Sequence, residues 1–522
     1  MILKEKNILS IDCGTQSLRA MIFSAKGELM AKTQRHYDTC ISPHPGWAEQ
    51  EPMLYWESLC SATLELKAKN PDFFKKVAGV GVTTQRNSVI NIDAHGDPLR
   101  PAILWLDQRK ASPTFGKNTL LNAVINAMLK GTDMDKKVAD IKSQGKCNWI
   151  MENQPDIWEK THKYLLISGF LNHRLTGNYI DSTASQIGHL PFNYKTLKWS
   201  GKYGLSRAFF PIENSKLPSL VKPGETVGKI TEKASIETGL PKGLPVVACG
   251  SDKGCETVGA GVLDCKSVSL SFGTTATIQT TSKLYFEPLP FMPPYPASIP
   301  DRYNPEIEIF RGYWMITWFK NEFAHKEVVE AIKRDVPAEE ILNSHLQNTS
   351  PGSMGLVVQP YWGPGLDQPF AKGAMIGFGD IHKKAHVYRA VIEGLAYGLR
   401  EGLEKIEHKG KFRARFAVVS GGASQSDEIC RITADIFNLP MARGKTHETS
   451  GLGAAIITAK GLGLYSTFEE AVAQMVSIEE KYYPRPENVQ LYDQLYNKVY
   501  KKMYRQLQPL YLEIQKITGY PE

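Results

Sequence analysis

Two short stretches of this chain, IDCGTQSLR at 11–19 and SLSFGTTA at 269–276, share one design. In each, an apolar strand-like run breaks at a Gly-Thr pair, and in the first it resumes at once, which is the pattern of a β-hairpin with glycine in its turn. The pairs, Gly14-Thr15 and Gly273-Thr274, lie about half the chain apart. That repetition constrains the fold more than any composition does. It calls for two related halves, each opening on a hairpin, rather than a short-period solenoid.

The rest of the chain alternates strands and helices. VAGVGVTTQ at 77–85 reads as a buried strand, and SVINIDAHGDPL at 88–99 as a strand ending in a turn at His95, Gly96 and Asp97. PVVACGSD at 245–252 is a strand ending in a polar turn, and ARFAVVSGG at 414–422 a strand feeding a helix over 425–437. GWAEQEP at 46–52 is a loop before a helical pattern that runs to about Lys69, and residues 112–180 read mostly helical with a break near Gly131. KLPSLVKPGETVGKIT at 216–231, punctuated by Pro and Gly, reads as a linker. Helical patterns cover about 450–462 and about 487–516. The alternation gives α/β layers, with the halves meeting near 250–260.

Composition excludes several classes. With 522 residues, 42% hydrophobic and 22% charged, the chain has ordinary globular make-up and length for two large domains. No apolar run of 18 residues occurs and a strand begins almost at the N-terminus, so the expectation is a cytoplasmic protein without a membrane span. Eight cysteines (Cys13, Cys40, Cys60, Cys147, Cys249, Cys255, Cys265 and Cys430) form no CxxC pair and read as reduced core residues. The formal charge of +8 is dispersed and carries no basic run with interleaved aromatics, so nucleic acid is not the expected partner.

The motifs point to a polyphosphate. Glycine lets a hairpin turn reach positive φ and removes a side chain, so that backbone N–H groups can face an anion. Thr15, Gln16 and Ser17 add donors, Arg19 a charge, and Asp12 a carboxylate placed to hold a Mg²⁺-bound water. One such hairpin is equally a tight turn with polar tips. A second, with Gly273, Thr274 and Thr275, allows the two to close on a polyphosphate from opposite sides. No GxxxxGK[ST] loop occurs, and the GKT of RGKTHE at 443–448 lacks the required first glycine. In VVSGGASQSDEICRITADIF at 418–437, Gly421 and Gly422 leave room for a flat ring, and the helix start at Ser424–Asp427, Ser426 included, offers polar groups to a base or ribose. TSGLGAAI at 449–456 imitates a dinucleotide fingerprint but follows no strand, so Gly451 and Gly453 read as close helix packing. Asp252, in CGSDKGCETVGAG at 249–261, stands between a strand's end and a helix's start. There it can cap the helix, act as general base, or do both.

Taken together these segments resemble the FGGY family of carbohydrate kinases within the actin-like ATPase superfamily. DCGTQSLR resembles the family's first phosphate loop, SLSFGTTA its second, and VSGGASQSDEICRITADIF its adenosine segment. GWAEQEP, TTQRNSVINID and ILWLDQR resemble its substrate-side segments, GSDKGCETVGAG the one with the catalytic aspartate, and VIEGLAYGLREGLEKI at 391–406 the helix of its second signature. The likeness runs in family order from about residue 7 to 460. It implies two ribonuclease-H-like domains, an N-terminal one over 1–254 and a C-terminal one over 255–522, with a nucleotide and sugar cleft between them. It also implies ATP and Mg²⁺ as cofactors, Asp252 as general base, and phosphate-side contacts from both hairpins.

By position, the resemblance puts Gln85, Arg86, Asn87, Trp105, Asp107, Asp252 and Lys253 at the acceptor, with Arg109 beside them. Glycerol kinases carry Gln-Arg-Glu where this chain has Gln85-Arg86-Asn87, and xylulokinases usually carry Met-His-Gly there, from which Arg86-Asn87 departs too. LWLDQR is closer to pentulose-type members. A strip of amide, guanidinium and carboxylate suits vicinal hydroxyls, so the expected acceptor is a small linear ketose or polyol. The rival readings are a glycerol kinase-like polyol kinase, an actin-like ATPase without sugar kinase activity, and a nicotinamide enzyme built on GLGAAI. The oligomeric state, a homodimer included, stays open.

Overall fold

The computed structural model describes residues 5–38, 40–112, 133–363, 368 and 370–520. The chain divides into two compact units, the first holding residues 1–259, 295–303 and 450–476 and the second the remainder.

The first unit is built on a six-stranded sheet. Its strands are β1 (Asn7–Cys13), β2 (Ser17–Ser24), β3 (Leu29–His36), β4 (Val77–Thr84), β5 (Thr226–Lys229) and β6 (Pro245–Ser251), in the order β5-β6-β4-β1-β2-β3. Strands β3, β2 and β1 form an antiparallel meander, β4 and β6 extend it in parallel, and β5 closes the edge antiparallel to β6. All seven residues of β1 are buried because sheet flanks it on both sides. Helix α1 (Pro52–Lys69) lays Tyr55, Leu59, Ala62 and Leu66, spaced three and four apart, on the sheet's core of Leu9, Ile11, Ile22 and Val80. The turn after β6 runs directly into helix α2 (Asp252–Gly259).

The second unit repeats this plan. Its strands are β7 (Ser267–Phe272), β8 (Ala276–Gln279), β9 (Glu306–Ile309), β10 (Phe416–Ser420), β11 (Met441–Gly444) and β12 (Ile478–Tyr482), in the order β9-β8-β7-β10-β11-β12. Again an antiparallel meander passes into two parallel strands and an antiparallel edge. The edge strand follows its neighbour in sequence here and precedes it in the first unit. Helices α5 (Lys384–Gly410) and α6 (Asp427–Phe437) pack on this sheet, Leu395 and Leu399 of α5 sharing its core with Val268, Leu270 and Val419, while α3 (Trp314–Phe323) and α4 (Ala338–Gln347) pack against α5. The shared strand order confirms the duplicated α/β architecture expected from the two hairpins.

Helix α7 (Thr449–Gly461), from Ser450 onward, and the residues to Val476 belong to the first unit. A Cβ on Gly453 would lie 1.8 Å from the Cys255 carbonyl oxygen, and one on Gly451 would lie 2.4 Å from Met21 Cε. The glycines of GLGAAI therefore serve close packing, as expected.

Two expectations need correction. Residues 216–231 are not a linker: Ser219–Val221 pairs with Ile180–Ser182, and β5 completes the central sheet. The helical reading of 112–180 is interrupted by a strand at Lys163–Leu166, which pairs with Val89–Ile92, while 113–132, with the break near Gly131, lies outside the described residues. Both misreadings concern short strands, whose pairing partners lie far away in sequence. Among the described residues no helix is long and apolar enough to cross a membrane.

Candidate active site

The first hairpin closes with Gly14 N–H donating to the Ser17 carbonyl at 3.0 Å. Its register sets Asp12 opposite Arg19, and the two form an ion pair at 3.3 Å. Neither Gly14 nor Gly273 adopts positive φ, contrary to the conformational reason given above. What these turns use is the missing side chain: a Cβ on Gly273 would already lie 3.3 Å from the Thr275 carbonyl oxygen. The polar tips are partly engaged. The Thr15 hydroxyl donates to Gln85 Oε1 at 2.7 Å and accepts from the Trp105 indole N–H at 3.0 Å, and Ser17 Oγ accepts from Gln34 Nε2 at 3.0 Å. Gln16 is exposed. In the second hairpin Thr275 Oγ1 donates to the Phe310 carbonyl at 3.1 Å, and Thr274 lines a cavity.

That cavity, about 1050 Å³, lies in the second unit between the hairpin at Phe272–Thr274, the start of α6, and helices α3 and α4. Gly421 and Gly422 divide the labour there. Gly421 has φ +86°, and a Cβ on it would come within 2.9 Å of Phe272 backbone, whereas Gly422 has nothing within 4 Å and faces open space. Ser426 caps α6 by accepting from Ile429 N–H at 3.4 Å and also lines the cavity. The double glycine, the hairpin and Ser426 are thus brought together. The opposite wall, including Trp314, Asn343 and Gln347, was not legible in the sequence, because amphipathic helices carry no mark of which polar residues will face a cavity.

In the first unit, Arg86 approaches Asp252 at the β6–α2 turn, where Ser251 pairs with Thr84 of β4. Ser251 Oγ accepts from Gly254 N–H at 3.2 Å, so the capping role falls to Ser251. Asp252 Oδ1 accepts from Lys253 N–H at 2.8 Å and stands 4.0 Å from Arg86 Nε, with its side chain 31% exposed. Removal from water raises the Asp252 carboxyl above its ordinary pKa of 3.8, against the pull of Arg86 and Lys253, while Glu256 pushes the same way as burial. Lys253 Nζ itself pairs with Glu256 at 2.8 Å. Asn87 adopts φ +52°, its side chain pressed against Gly188.

Asp107 is placed otherwise than the acceptor expectation required. It accepts from Ala48 N–H at 2.6 Å and from the Arg109 Nε and terminal nitrogen at 2.8 Å each, with its side chain fully buried. Arg109 lies 3.8 Å from the Trp47 ring and 4.7 Å from that of Trp149, and pairs with Glu49 at 2.8 Å. This buried cluster holds the loop that presents Trp105, which is 44% exposed. The spacing of Asp107 and Arg109 shows their pairing only once the loop closes on Glu49 and Trp47.

Among the described residues no cluster of three or more His, Cys, Asp or Glu side chains could hold a metal ion. A Mg²⁺ here would rely on one carboxylate and water, the manner in which this ion binds beside phosphates, and Asp12 supplies such a carboxylate.

The model of the FGGY family of carbohydrate kinases, N-terminal domain, matches residues 7–259, and that of its C-terminal domain matches 268–462. The uncharacterized sugar kinase YgcE of Escherichia coli (strain K12) is 29% identical over 94% of this chain and 92% of its own. A xylulose kinase of Staphylococcus epidermidis is 29% identical over 93% of this chain and 94% of its own. Glycerol kinases match at 25%. The crystal structure of xylulose kinase from Rhodospirillum rubrum superposes with a TM-score of 0.82 at 25% identity, covering 97% of this chain and all of that one.

Proposed function

This chain belongs to the FGGY family of carbohydrate kinases, and from that membership we propose that it transfers the γ-phosphoryl group of ATP to a hydroxyl of a linear ketose or polyol, with Asp252 as general base. Xylulose, the acceptor named for its relatives, is the first candidate.

The observation that carries this reading is the setting of Asp252. Among the carboxylates of the expected site, Asp107 is consumed by Arg109 and Ala48, and Asp12 is 10% exposed and paired with Arg19. Asp252 is half-buried rather than enclosed, with its capping duty taken by Ser251 and its proton affinity raised by its partial removal from water. A carboxylate whose pKa moves toward working pH is a better proton acceptor. Phosphoryl transfer proceeds through a loose transition state, so the residues' work is to position the acceptor oxygen and take its proton late. Arg86 and Asn87 orient the acceptor beside Asp252. The second-unit cavity takes the nucleoside, Gly422 leaving space for the base and the Gly273 turn for the phosphates. Asp12 would hold Mg²⁺ through water, where the ion neutralises phosphate charge.

The test is a coupled ADP-release screen over xylulose, other ketoses, aldoses, polyols and glycerol. Acceptor-dependent ADP release with a five- to seven-carbon ketose or polyol supports the proposal. ATP hydrolysis indifferent to every acceptor would instead favour an actin-like ATPase.

A further inference from the structure

Residues 295–303 come from the second half of the sequence but pack in the first unit, on the turn that carries Asp252. A Cβ on Gly250 would lie 2.1 Å from Ser298 Oγ and one on Gly254 2.5 Å from it, so both glycines are bare where this segment sits. The segment is pinned along its length. Ala297 N–H donates to the Arg302 carbonyl at 3.0 Å, Asp301 pairs with Lys222 at 2.7 Å, Arg302 with Glu469 at 3.2 Å, and the Tyr303 hydroxyl donates to the Lys195 carbonyl at 2.6 Å. At its head the Tyr295 ring lies 4.8 Å from the Arg86 guanidinium carbon, and the Tyr194 ring meets Tyr295 edge-on at 6.4 Å. On its other side Arg86 reaches to 4.0 Å from Asp252.

We propose that Tyr295 is a positioning residue of the phosphoryl-transfer site, its ring fixing the Arg86 guanidinium beside Asp252 and so setting how Arg86 meets the acceptor. An aromatic face attracts a guanidinium and limits the directions in which it can point. Two cations and one anion act on Asp252: Arg86 and Lys253 favour its ionised form, and Glu256 opposes it. Lys253 is tied to Glu256, which leaves Arg86 as the cation whose position the ring can control. The proposal rests on the acceptor reading for its kinetic consequence only, since the geometry exists without substrate.

The experiment compares Tyr295→Phe, which keeps the ring, with Tyr295→Leu and Tyr295→Gln, which remove it. In the free enzyme the Asp252 carboxyl carbon is titrated by NMR, its signal assigned through Asp252→Asn. Both ringless variants should raise the titration midpoint by about one pH unit, as expected when a cation some 4 Å away is released, and Tyr295→Phe should leave it in place. With xylulose as acceptor, KM should rise roughly tenfold in the ringless variants, with KM for ATP unchanged. An unchanged midpoint in a folded ringless variant overturns the proposal. So does failure of both ringless variants to fold, which would make Tyr295 structural. If xylulose is not turned over, the acceptor reading fails while the titration still decides this one.

Discussion

Replacing Asp252 by Asn separates a base from a helix cap. The amide keeps the shape of the carboxylate and still offers an oxygen to Lys253 N–H, and Ser251 continues to cap α2. What disappears is the site for the proton. General-base contributions are typically ~10²–10⁴-fold, so kcat should fall by that factor, equivalent to about 2.7–5.5 kcal/mol of transition-state stabilisation. KM for the acceptor should change less, because the amide can still hydrogen-bond its hydroxyl. Stability gives an independent check. The native carboxyl titrates above its ordinary value of 3.8, so folding favours its protonated form. That contribution is fully present below pH 3.8, fades as pH rises through the native pKa, and is absent at neutral pH. Asp252→Asn at pH 7 should therefore leave Tm unchanged or slightly higher. In the wild type, kcat/KM should decline on the acid side with a midpoint above 3.8. The assay is coupled ADP release across pH beside differential scanning fluorimetry. Near-normal turnover with a lowered Tm would refute the reasoning and place the base elsewhere, Asp12 being the next carboxylate to test.

Gly273→Val should abolish or strongly weaken ATP binding in a folded protein, since even a Cβ there sits 3.3 Å from the Thr275 carbonyl; calorimetry showing wild-type affinity would remove this hairpin from the phosphate site. Gly453→Ala should destabilise by about 3 kcal/mol or more, because its Cβ would lie 1.8 Å from the Cys255 carbonyl, and denaturant unfolding measures it. Glycerol should give a lower kcat/KM than xylulose, as Asn87 stands where glycerol kinases carry an acid; a screen with glycerol ranked first would reverse that order.

The sequence determined what depends on neighbours along the chain. Alternation and Gly-Thr pairs disclosed both hairpins, and a strand running into α2 marked Asp252. The repeated pattern disclosed two α/β units, because a hairpin needs only its own two strands and turn. Tertiary structure decided what depends on distant partners. It returned Tyr295, Ser298 and helix α7 to the first unit, turned residues 216–231 from a linker into the edge of a sheet, and buried Asp107 under Arg109 and Trp47. It also gave the cap to Ser251, leaving the half-buried Asp252 carboxylate without that duty. A three- or four-residue strand is stabilised by ladder bonds to remote backbone, and a carboxylate's role by whatever desolvates or pairs it; neither cause is written in the local run of residues.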